Sequence, residues 1–418
     1  MSERHDVIVV GAGMAGLRCA VELRAHGLQP LVLEAADAVG GRVRTDEIDG
    51  FLVDRGFQVL LTAYPEARAA FDYAELDLRR FIPGALCRRG DRFTIVADPF
   101  RRPLAALVGL LAPAGRPGDV ARVLRLRREA LQGTLPELFG RPETTTAERL
   151  DELGFSPAVQ QTFLRPFLAG IFLEHELETS SRMLDFVFRM FATGATAVPA
   201  RGMGALSDQL AARLPAGAIR LGARVTAVGA DAVTLTGGER LEARAVVVAT
   251  AGLLPELEPS AWRSVTCFSF DAPAAPVRRP ILVLDGTRSG PVTNLHVASA
   301  LAAGVAPPGR ALVSASVIGP AGTATEADVR RQFTAWYGTA VADWRLVQAL
   351  HIPHALPVVK PQLRAPRLDS GIFACGDHLQ GPTLNAALAT GRQAATAIVA
   401  ALGHGPEACP EPEPEPER

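Results

Sequence analysis

This chain of 418 residues has few cysteines and almost no net charge. The five cysteines are odd in number, are scattered and form no Cys-x-x-Cys pair; they are Cys19, Cys87, Cys267, Cys375 and Cys409. This pattern predicts reduced thiols in a cytoplasmic protein, with neither a disulfide framework nor a metal site. The formal net charge of −1 argues against nucleic acid as an obligate partner, because such a partner selects for a basic surface.

The chain also lacks an apolar run long enough to cross a bilayer. Its first residues lead directly into a strand-like run, without a charged and then apolar pattern, so we expect a protein that is not secreted. One segment, 99–131, joins an apolar stretch, Pro103–Pro113, to a helical pattern rich in arginine. The arginines of that pattern are Arg122, Arg125, Arg127 and Arg128. An apolar hairpin beside a basic helix can lie at a membrane surface, so peripheral membrane contact is one expectation; a core helix with a solvated basic neighbour is the alternative.

What the chain does have is a dinucleotide-type motif at its beginning. Asp6–Val10 is a β-branched apolar run, Gly11–Gly16 reads Gly-Ala-Gly-Met-Ala-Gly, and a helical pattern covers Leu17–Ala25. A second apolar strand, Leu31–Leu33, is followed directly by Glu34. This order of strand, glycine turn, helix, strand and acid predicts a dinucleotide-binding site.

Each glycine of the turn has a separate physical purpose. Gly11 permits the tight turn, Gly13 lets the backbone approach a pyrophosphate, and Gly16 lets the helix pack closely on the strand. The phosphates then lie at the helix N-terminus, and Glu34 accepts hydrogen bonds from a ribose diol. A motif of this kind does not by itself distinguish NAD from FAD.

A second glycine motif, Gly40-Gly-Arg-Val-Arg-Thr45, follows within a few residues. With it, the chain resembles the amine oxidase and phytoene desaturase superfamily of FAD enzymes, whose signature is a glycine turn, an acid at a strand end and then Gly-Gly-Arg. The resemblance implies FAD as cofactor and implies that Arg42 lies against its pyrophosphate. It also implies that the strand at Phe51–Val59 passes along the flavin, with Gly56 near the reactive edge, and that the backbone of Val225 contacts the adenine.

The C-terminal block is the other strong signal. Gly371–Asp377 reads as a strand that ends on Gly-Asp, and Gly381–Gly391 reads as the start of a helix of small residues. In FAD enzymes of this shape, the residue matching Asp377 bonds the ribityl hydroxyls, although an acid that only caps the helix is the alternative. The amides implied to face the pyrimidine edge of the flavin, where a positive helix end favours reduction, are those of Thr383, Leu384 and Asn385.

The complete set of cofactor-binding residues expected from the motifs and the resemblance is Gly11, Ala12, Gly13, Met14, Ala15, Gly16, Glu34, Ala35, Gly41, Arg42, Gly56, Phe57, Gln58, Val225, Gly376, Asp377, Thr383, Leu384 and Asn385. Two further stretches, Pro166–Phe172 and Val198–Gly204, resemble the protoporphyrinogen oxidase and carotenoid desaturase branch. The resemblance therefore covers nearly the whole chain.

Apolar runs that alternate with helical patterns predict an α/β fold. We expect a Rossmann-like, FAD-binding domain of the glutathione reductase type, with a parallel sheet, and an interleaved α+β substrate domain. The FAD-binding domain is expected to combine residues 1–58, 199–258 and 366–405, and the substrate domain residues 59–198 and 259–365. Residues 406–418 alternate proline and glutamate, which predicts a disordered tail.

Among individual elements, Ile219–Val228 and Arg244–Thr250 read as strands and Pro157–Phe167 as a helix.

Features expected of an amine oxidase are missing. Amine-oxidising members usually place a lysine over flavin N5 and frame the amine with aromatic rings. The strand where that lysine is expected reads Pro276-Val-Arg-Arg-Pro280, the only lysine is Lys360, and the position before the last helix, commonly aromatic, is Thr383. With three tyrosines and three tryptophans in all, recognition of a cationic amine by ring faces is poorly supported. No cysteine lies where covalent attachment is expected, so non-covalent FAD is predicted.

These observations together predict an FAD-dependent dehydrogenase or desaturase. Flavin N5 accepts a hydride from a small apolar substrate of isoprenoid or tetrapyrrole type, and oxygen, a quinone or another carrier reoxidises the flavin. The catalytic residues are unassigned, and the candidates for proton transfer are His351, His354 and His378. The alternatives are a flavin amine oxidase, a non-redox isomerase that uses reduced FAD on a polyene, and a flavin-binding scaffold without catalytic activity.

Overall fold

The computed structural model describes residues 4–97, 117–361 and 365–403. The tail at 406–418 and residues 99–116 of the segment expected to touch a membrane lie outside the described residues.

The strands, in chain order, are β1 (His5–Val10), β2 (Pro30–Leu33), β3 (Thr45–Ile48), β4 (Phe51–Asp54), β5 (Leu60–Leu61), β6 (Leu78–Arg80), β7 (Gly84–Arg89), β8 (Arg92–Ala97), β9 (Thr196–Pro199), β10 (Ile219–Arg220), β11 (Val225–Val228), β12 (Ala232–Leu235), β13 (Arg240–Val248), β14 (Trp262–Ala272), β15 (Leu282–Asp285), β16 (Val292–Val297), β17 (Ala311–Ile318), β18 (Arg345–Pro357) and β19 (Phe373–Ala374). The α-helices are α1 (Met14–Ala25), α2 (Pro65–Ala70), α3 (Pro117–Leu131), α4 (Leu135–Phe139), α5 (Thr146–Glu152), α6 (Pro157–Val159), α7 (Arg165–Phe172), α8 (Ser181–Thr193), α9 (Gly204–Ala211), α10 (Ala298–Leu301), α11 (Glu326–Tyr337) and α12 (Leu384–Ala401).

A parallel sheet is assembled from three separated parts of the chain. β1 lies between β2 and β13, β10 extends the sheet beyond β2, and β19 pairs with the end of β13, all in parallel. The β-branched residues Val7–Val10 are buried, as expected of a strand that is covered on both faces. The predicted α/β fold with a parallel sheet is confirmed.

Helices α1 and α12 pack tightly against each other because one residue at their contact has no side chain. A Cβ on Gly391 of α12 would collide with the carbonyl oxygen of Ala15 in α1. The first and last helices of the described chain are therefore in contact at the backbone level, which places the first and last sequence motifs side by side.

The run Ile219–Val228, predicted as one strand, is two strands at opposite edges of the sheet. β10 pairs in parallel with β2, whereas β11 pairs antiparallel with β12, which pairs antiparallel with the first residues of β13. Between them, Gly222 adopts a φ of +65°, a left-handed conformation that ends the extended run. The prediction of a single strand was wrong because an apolar alternation does not reveal a turn carried by one glycine.

The second large sheet is antiparallel except for one pair. Its strand order is β18-β14-β17-β16-β15-β7-β8, and only β15 and β7 run in parallel. The expected helix at Pro157–Phe167 is divided into α6, a π-helical turn at Gln160–Leu164 and α7, which ends where Leu173 adopts a left-handed conformation. Among the described residues, no helix is both long and apolar enough to cross a membrane.

Candidate active site

A cavity of about 680 Å³ lies where the carboxyl ends of the parallel strands meet the antiparallel sheet. The ends of β1, β2, β13 and β19 all contribute residues to its wall, as do strands β14, β16, β17 and β18 and helices α7 and α8. The volume lies within the range of about 300–1,000 Å³ that is usual for ligand sites. Carboxyl ends of parallel strands are where α/β sheets bind nucleotides.

The glycine turn after β1 leaves bare backbone at the cavity. Gly11 has a φ of +104°, and a Cβ on Gly16 would collide with the carbonyl oxygen of Gly11. Gly13 lines the cavity, and nothing lies within 4 Å of the position that its Cβ would take. Because no side chain caps the N-terminus of α1, its first amides are available to an anion. The turn therefore fits the pyrophosphate of a dinucleotide.

Glu34 is held at the end of β2 by two backbone amides. Its Oε2 accepts a hydrogen bond from the amide of Ala12 at 2.7 Å, and its Oε1 accepts one from the amide of Ala36 at 2.8 Å. A carboxylate has about four acceptor positions, so Glu34 can still accept hydrogen bonds from a ribose diol. Ala12, which is expected to bind the cofactor, is fully buried, and its amide holds Glu34 in place.

The Gly-Gly-Arg motif is folded against the glycine turn. The amide of Gly40 donates to the carbonyl oxygen of Ala12 at 2.8 Å, and a Cβ on Gly40 would collide with the carbonyl oxygen of Val43. The side-chain Nε2 of Gln58 donates to the carbonyl oxygen of Arg42 at 2.6 Å. These contacts fix the backbone at Arg42, whose side chain lines the cavity.

Arg42 and Asp377, which lie at opposite ends of the sequence, form an ion pair. Arg42 Nη2 is 2.6 Å from Asp377 Oδ1, and Arg42 Nη1 donates to the carbonyl oxygen of Ala355 at 2.9 Å. Burial lowers the pKa of Arg42, but the charge of Asp377 and the hydrogen bond to it raise that pKa above its ordinary value overall. The guanidinium also lies 5.7 Å from the ring centroid of Trp262.

The N-terminus of α12 faces the same cavity. Thr383 caps the helix, since its hydroxyl accepts a hydrogen bond from the amide of Ala386 at 3.0 Å, and Leu384 lines the wall. A helix N-terminus carries a partial positive charge, which suits the electron-rich edge of a reduced flavin. The side chain of Asn385 turns away and accepts a hydrogen bond from the amide of Glu66 at 3.1 Å.

The cavity brings together most of the residues expected to bind the cofactor. Those that line it are Gly11, Gly13, Met14, Ala15, Glu34, Gly41, Arg42, Gly56, Phe57, Gln58, Gly376, Asp377, Thr383 and Leu384. Those that are not part of its wall are Ala12, Gly16, Ala35, Val225 and Asn385. Val225 belongs to a buried apolar cluster of the parallel sheet. The role of each residue toward the cofactor stays a prediction.

All three candidate histidines line the cavity, in different settings. The Nδ1 of His351 is 3.0 Å from the hydroxyl of Thr266, whereas the exposed ring of His354 lies against Trp262 at 5.0 Å between centroids, tilted by 37°. His378 is buried, and a Cβ on Gly376 would collide with its ring. Among the described residues, no group of three or more histidine, cysteine, aspartate or glutamate side chains could hold a metal ion.

The wall formed by α7 and α8 is apolar, and the sequence did not identify its members individually. They are Phe167, Ile171, Phe172, Met183, Val187 and Phe191. Lysine takes no part in the wall, because Lys360, the only lysine of the chain, pairs with Glu143 at 3.7 Å and has a side chain that is 82% exposed. Helical spacing of these apolar residues was the available signal, but it does not separate a cavity wall from an ordinary core.

Polar residues of the antiparallel sheet were also missed. Asn294 and Ser316 line the cavity from β16 and β17, where they are paired across the strands. In the sequence, the run Thr293-Asn-Leu-His296 has three polar residues out of four, and every residue of that run is buried. Sequence alone could not reveal that this strand is buried on both faces.

Comparison with known proteins places the chain in a family. The sequence profile described as flavin containing amine oxidoreductase matches residues 14–399. Coproporphyrinogen III oxidase from Propionibacterium freudenreichii subsp. freudenreichii is 33% identical over 107 residues, which are 26% of this chain and 20% of that protein. Putrescine oxidase from Kocuria rosea is 37% identical over 111 residues, which are 27% of this chain and 22% of that protein.

Among solved structures, cyclohexylamine oxidase from Brevibacterium oxydans IH-35A superposes with a TM-score of 0.70, covering 96% of this chain and 100% of that chain at 17% identity. At this identity the likeness shows the fold. Each of the two sequence relatives is matched over less than a quarter of its own length, whereas the family profile spans nearly all of this chain. The chain therefore belongs to the flavin-containing amine oxidoreductases, and it is an FAD-dependent oxidoreductase.

Proposed function

We propose that this enzyme oxidises a small apolar substrate of isoprenoid or tetrapyrrole type. The observation that carries the proposal is the apolar wall of α7 and α8, in a cavity whose lining carboxylates, Glu34 and Asp377, both lie on the nucleotide side. A cation would lose its hydration on entering such a wall without a matching charge, which is unfavourable. An apolar substrate would gain from burial against it, by about 25 cal/mol for each Å² of apolar surface removed from water.

Bound FAD supplies a two-electron acceptor at N5. On the nucleotide side of the cavity, we assign pyrophosphate binding to the bare backbone at Gly13 and to Arg42, and ribose binding to Glu34, because each lines the cavity. Asp377 would hold the ribityl hydroxyls while remaining close to Arg42. The N-terminus of α12 would stabilise negative charge at the pyrimidine edge.

We assign the substrate to the other side of the cavity. The rings and branched side chains of α7 and α8 exclude water, which protects reduced intermediates from side reactions. Of the candidate histidines, His351 is the best placed to hold a proton, since Thr266 engages one ring nitrogen and leaves the other for the substrate.

Anaerobic mixing of the FAD-loaded enzyme with a polyene tests the proposal. Bleaching of the flavin together with a new double bond in the product is the expected result. A product isomerised without any change in the flavin spectrum would instead identify a polyene isomerase. Ile171→Asp should abolish the reaction by placing a charge in the apolar wall, whereas Leu221→Asp, at an exposed position, is the matched control that should retain it.

A flavin amine oxidase is the second candidate. It is favoured by the match to putrescine oxidase and by the superposition on cyclohexylamine oxidase. Putrescine and cyclohexylamine are therefore the amines to include in the same anaerobic experiment, and bleaching by either would favour this candidate over an apolar substrate.

We further propose that the chain is divided as its two large sheets suggest. All strands of the parallel sheet lie in 1–58, 199–258 and 366–405, and all strands of the antiparallel sheet lie in 59–198 and 259–365. The first set would form the FAD-binding domain and the second the substrate domain, with the cavity between them.

Peripheral membrane contact through 99–131 is also a proposal, and α3 is the part of that segment that the structure describes. Its Leu124 and Leu131 are 45% and 40% exposed and are seven residues apart, so they share one face of the helix. Arg122 pairs with Asp119, and Arg125 pairs with Glu129. These ion pairs leave less positive charge available to an anionic membrane surface than the sequence suggests.

A further inference from the structure

The floor of the cavity contains a polar position among apolar ones. The floor is one face of the antiparallel sheet, to which Val265, Leu282 and Leu350 contribute apolar side chains. Between them, Asn294 of β16 and Ser316 of β17 stand opposite each other and also line the cavity. The apolar substrate side of the cavity is therefore interrupted by an adjacent amide and hydroxyl.

The Asn294 carboxamide is buried without being satisfied. The residue is 2% exposed, and its Oδ1 has no hydrogen-bond partner. Buried polar groups in folded proteins are nearly always hydrogen-bonded, so an orphaned one requires an explanation. Asn294 lines a cavity that takes a ligand, and a ligand can supply the missing partner.

The neighbours of the Asn294 carboxamide leave space for it and for a bound group. A Cβ on Gly170 of α7 would collide with the Asn294 Nδ2, so glycine is needed there for the side chain to occupy its position. Ser316 Oγ has only a weak contact with Cys267 Sγ, at 4.0 Å. Its hydroxyl is therefore free to turn toward a group that binds at Asn294.

We propose that Asn294, with Ser316 beside it, is a specificity-determining residue that accepts a hydrogen bond from an uncharged donor on an otherwise apolar substrate. The donor is a hydroxyl or a ring N–H, because a carboxamide carries no charge with which to match a cation or a carboxylate. The inference rests on the proposed function, since it assumes that an apolar body fills the rest of the substrate side.

The test is a comparison of two ligands that differ by one donor. Farnesol and farnesyl methyl ether share the isoprenoid chain and the oxygen, but only the alcohol donates a hydrogen bond. Binding of each to the FAD-loaded enzyme is measured by calorimetry under anaerobic conditions. Wild type should bind the alcohol about tenfold more tightly than the ether, and Asn294→Leu should reduce that ratio to near one without weakening the ether.

Thr293→Val is the matched control. Thr293 is the preceding residue of β16 and also has a buried, unpartnered hydroxyl, but it does not line the cavity. This variant should keep the wild-type preference for the alcohol. Asn294→Ala provides a second variant in case leucine distorts the floor, and it should lose the preference as well.

Four results would overturn the inference. Equal binding of alcohol and ether by wild type, or an unchanged preference in both Asn294 variants, would show that the amide does not contact the ligand. A weaker affinity for FAD or an altered flavin spectrum in ligand-free Asn294→Leu would show that the amide serves the cofactor. If neither isoprenoid binds and a simple amine bleaches the flavin, the proposed function fails together with this inference.

Discussion

His296 should make the enzyme lose stability as the pH falls. It lies on β16, its ring contacts that of Phe57 at 4.4 Å between centroids and is tilted from it by 35°, and its Nδ1 has no hydrogen-bond partner. Burial lowers its pKa from 6.5 to about 3. Phe57 lines the cavity, so protonation of His296 would disturb the wall as well as the core.

The direction and size of the effect follow from this pKa. The folded state binds the proton less tightly than the unfolded state, so the stability is fully present above pH 6.5 and is lost as the pH falls toward 3. At 1.36 kcal/mol for each pH unit below 6.5, the loss is about 2 kcal/mol at pH 5 and about 3 kcal/mol at pH 4.

The perturbation is His296→Phe, which keeps an aromatic ring against Phe57 and removes the titrating group. Urea unfolding of both proteins at pH 7.5, 5 and 4 gives the free energy of unfolding, and the difference between variant and wild type should increase by the amounts above as the pH falls. Thr293→Val, which removes a buried hydroxyl of the same strand, should shift stability equally at every pH. If the His296→Phe and wild-type curves fall in parallel, burial does not depress the pKa of this histidine.

Three further outcomes are expected. Gly13→Ala should fold normally but lose FAD affinity, whereas Gly16→Ala should destabilise the fold because its Cβ would collide with the Gly11 carbonyl. FAD content and thermal unfolding, measured on both variants, check this contrast, and equal behaviour of the two variants would contradict it. Burial raises the pKa of Asp54 to about 6, above its unfolded value, so wild type should lose up to about 3 kcal/mol as the pH rises from 4 to 7 relative to Asp54→Asn, with urea unfolding as the measurement. The double variant Leu124→Asp, Leu131→Asp should abolish co-sedimentation with anionic liposomes at low salt. If wild type itself stays in the supernatant, α3 does not contact the membrane.

Sequence reasoning was most successful where one local segment determines the geometry. The glycine turn and Glu34 were predicted together, and the structure brings both to one cavity because a tight turn, a helix N-terminus and the next strand end are close in the chain. The pairing of Arg42 with Asp377 joins residues far apart in sequence. The two motifs were recognised separately, but their mutual contact could not be derived from either one.

The substrate side was much less predictable. Asn294 and Ser316 come together only through the register of two antiparallel strands, and Trp262 reaches the cavity from the first residue of β14. Such contacts depend on long-range pairing, which no local pattern encodes. Val225, a position carried over from the resemblance, lies in a buried apolar cluster and is not part of the cavity wall, so the contact of its backbone with the adenine stays a prediction.

The central claim, an FAD enzyme for an apolar rather than a cationic substrate, is tested most directly by the rate of anaerobic flavin bleaching. The FAD-loaded enzyme is mixed in separate reactions with putrescine, cyclohexylamine and an isoprenoid polyene, and flavin absorbance is followed. We predict that the polyene bleaches the flavin while both amines leave the oxidised spectrum unchanged, because the substrate wall has no charge to receive a cation. Rapid bleaching by either amine, with no response to the polyene, would contradict the account.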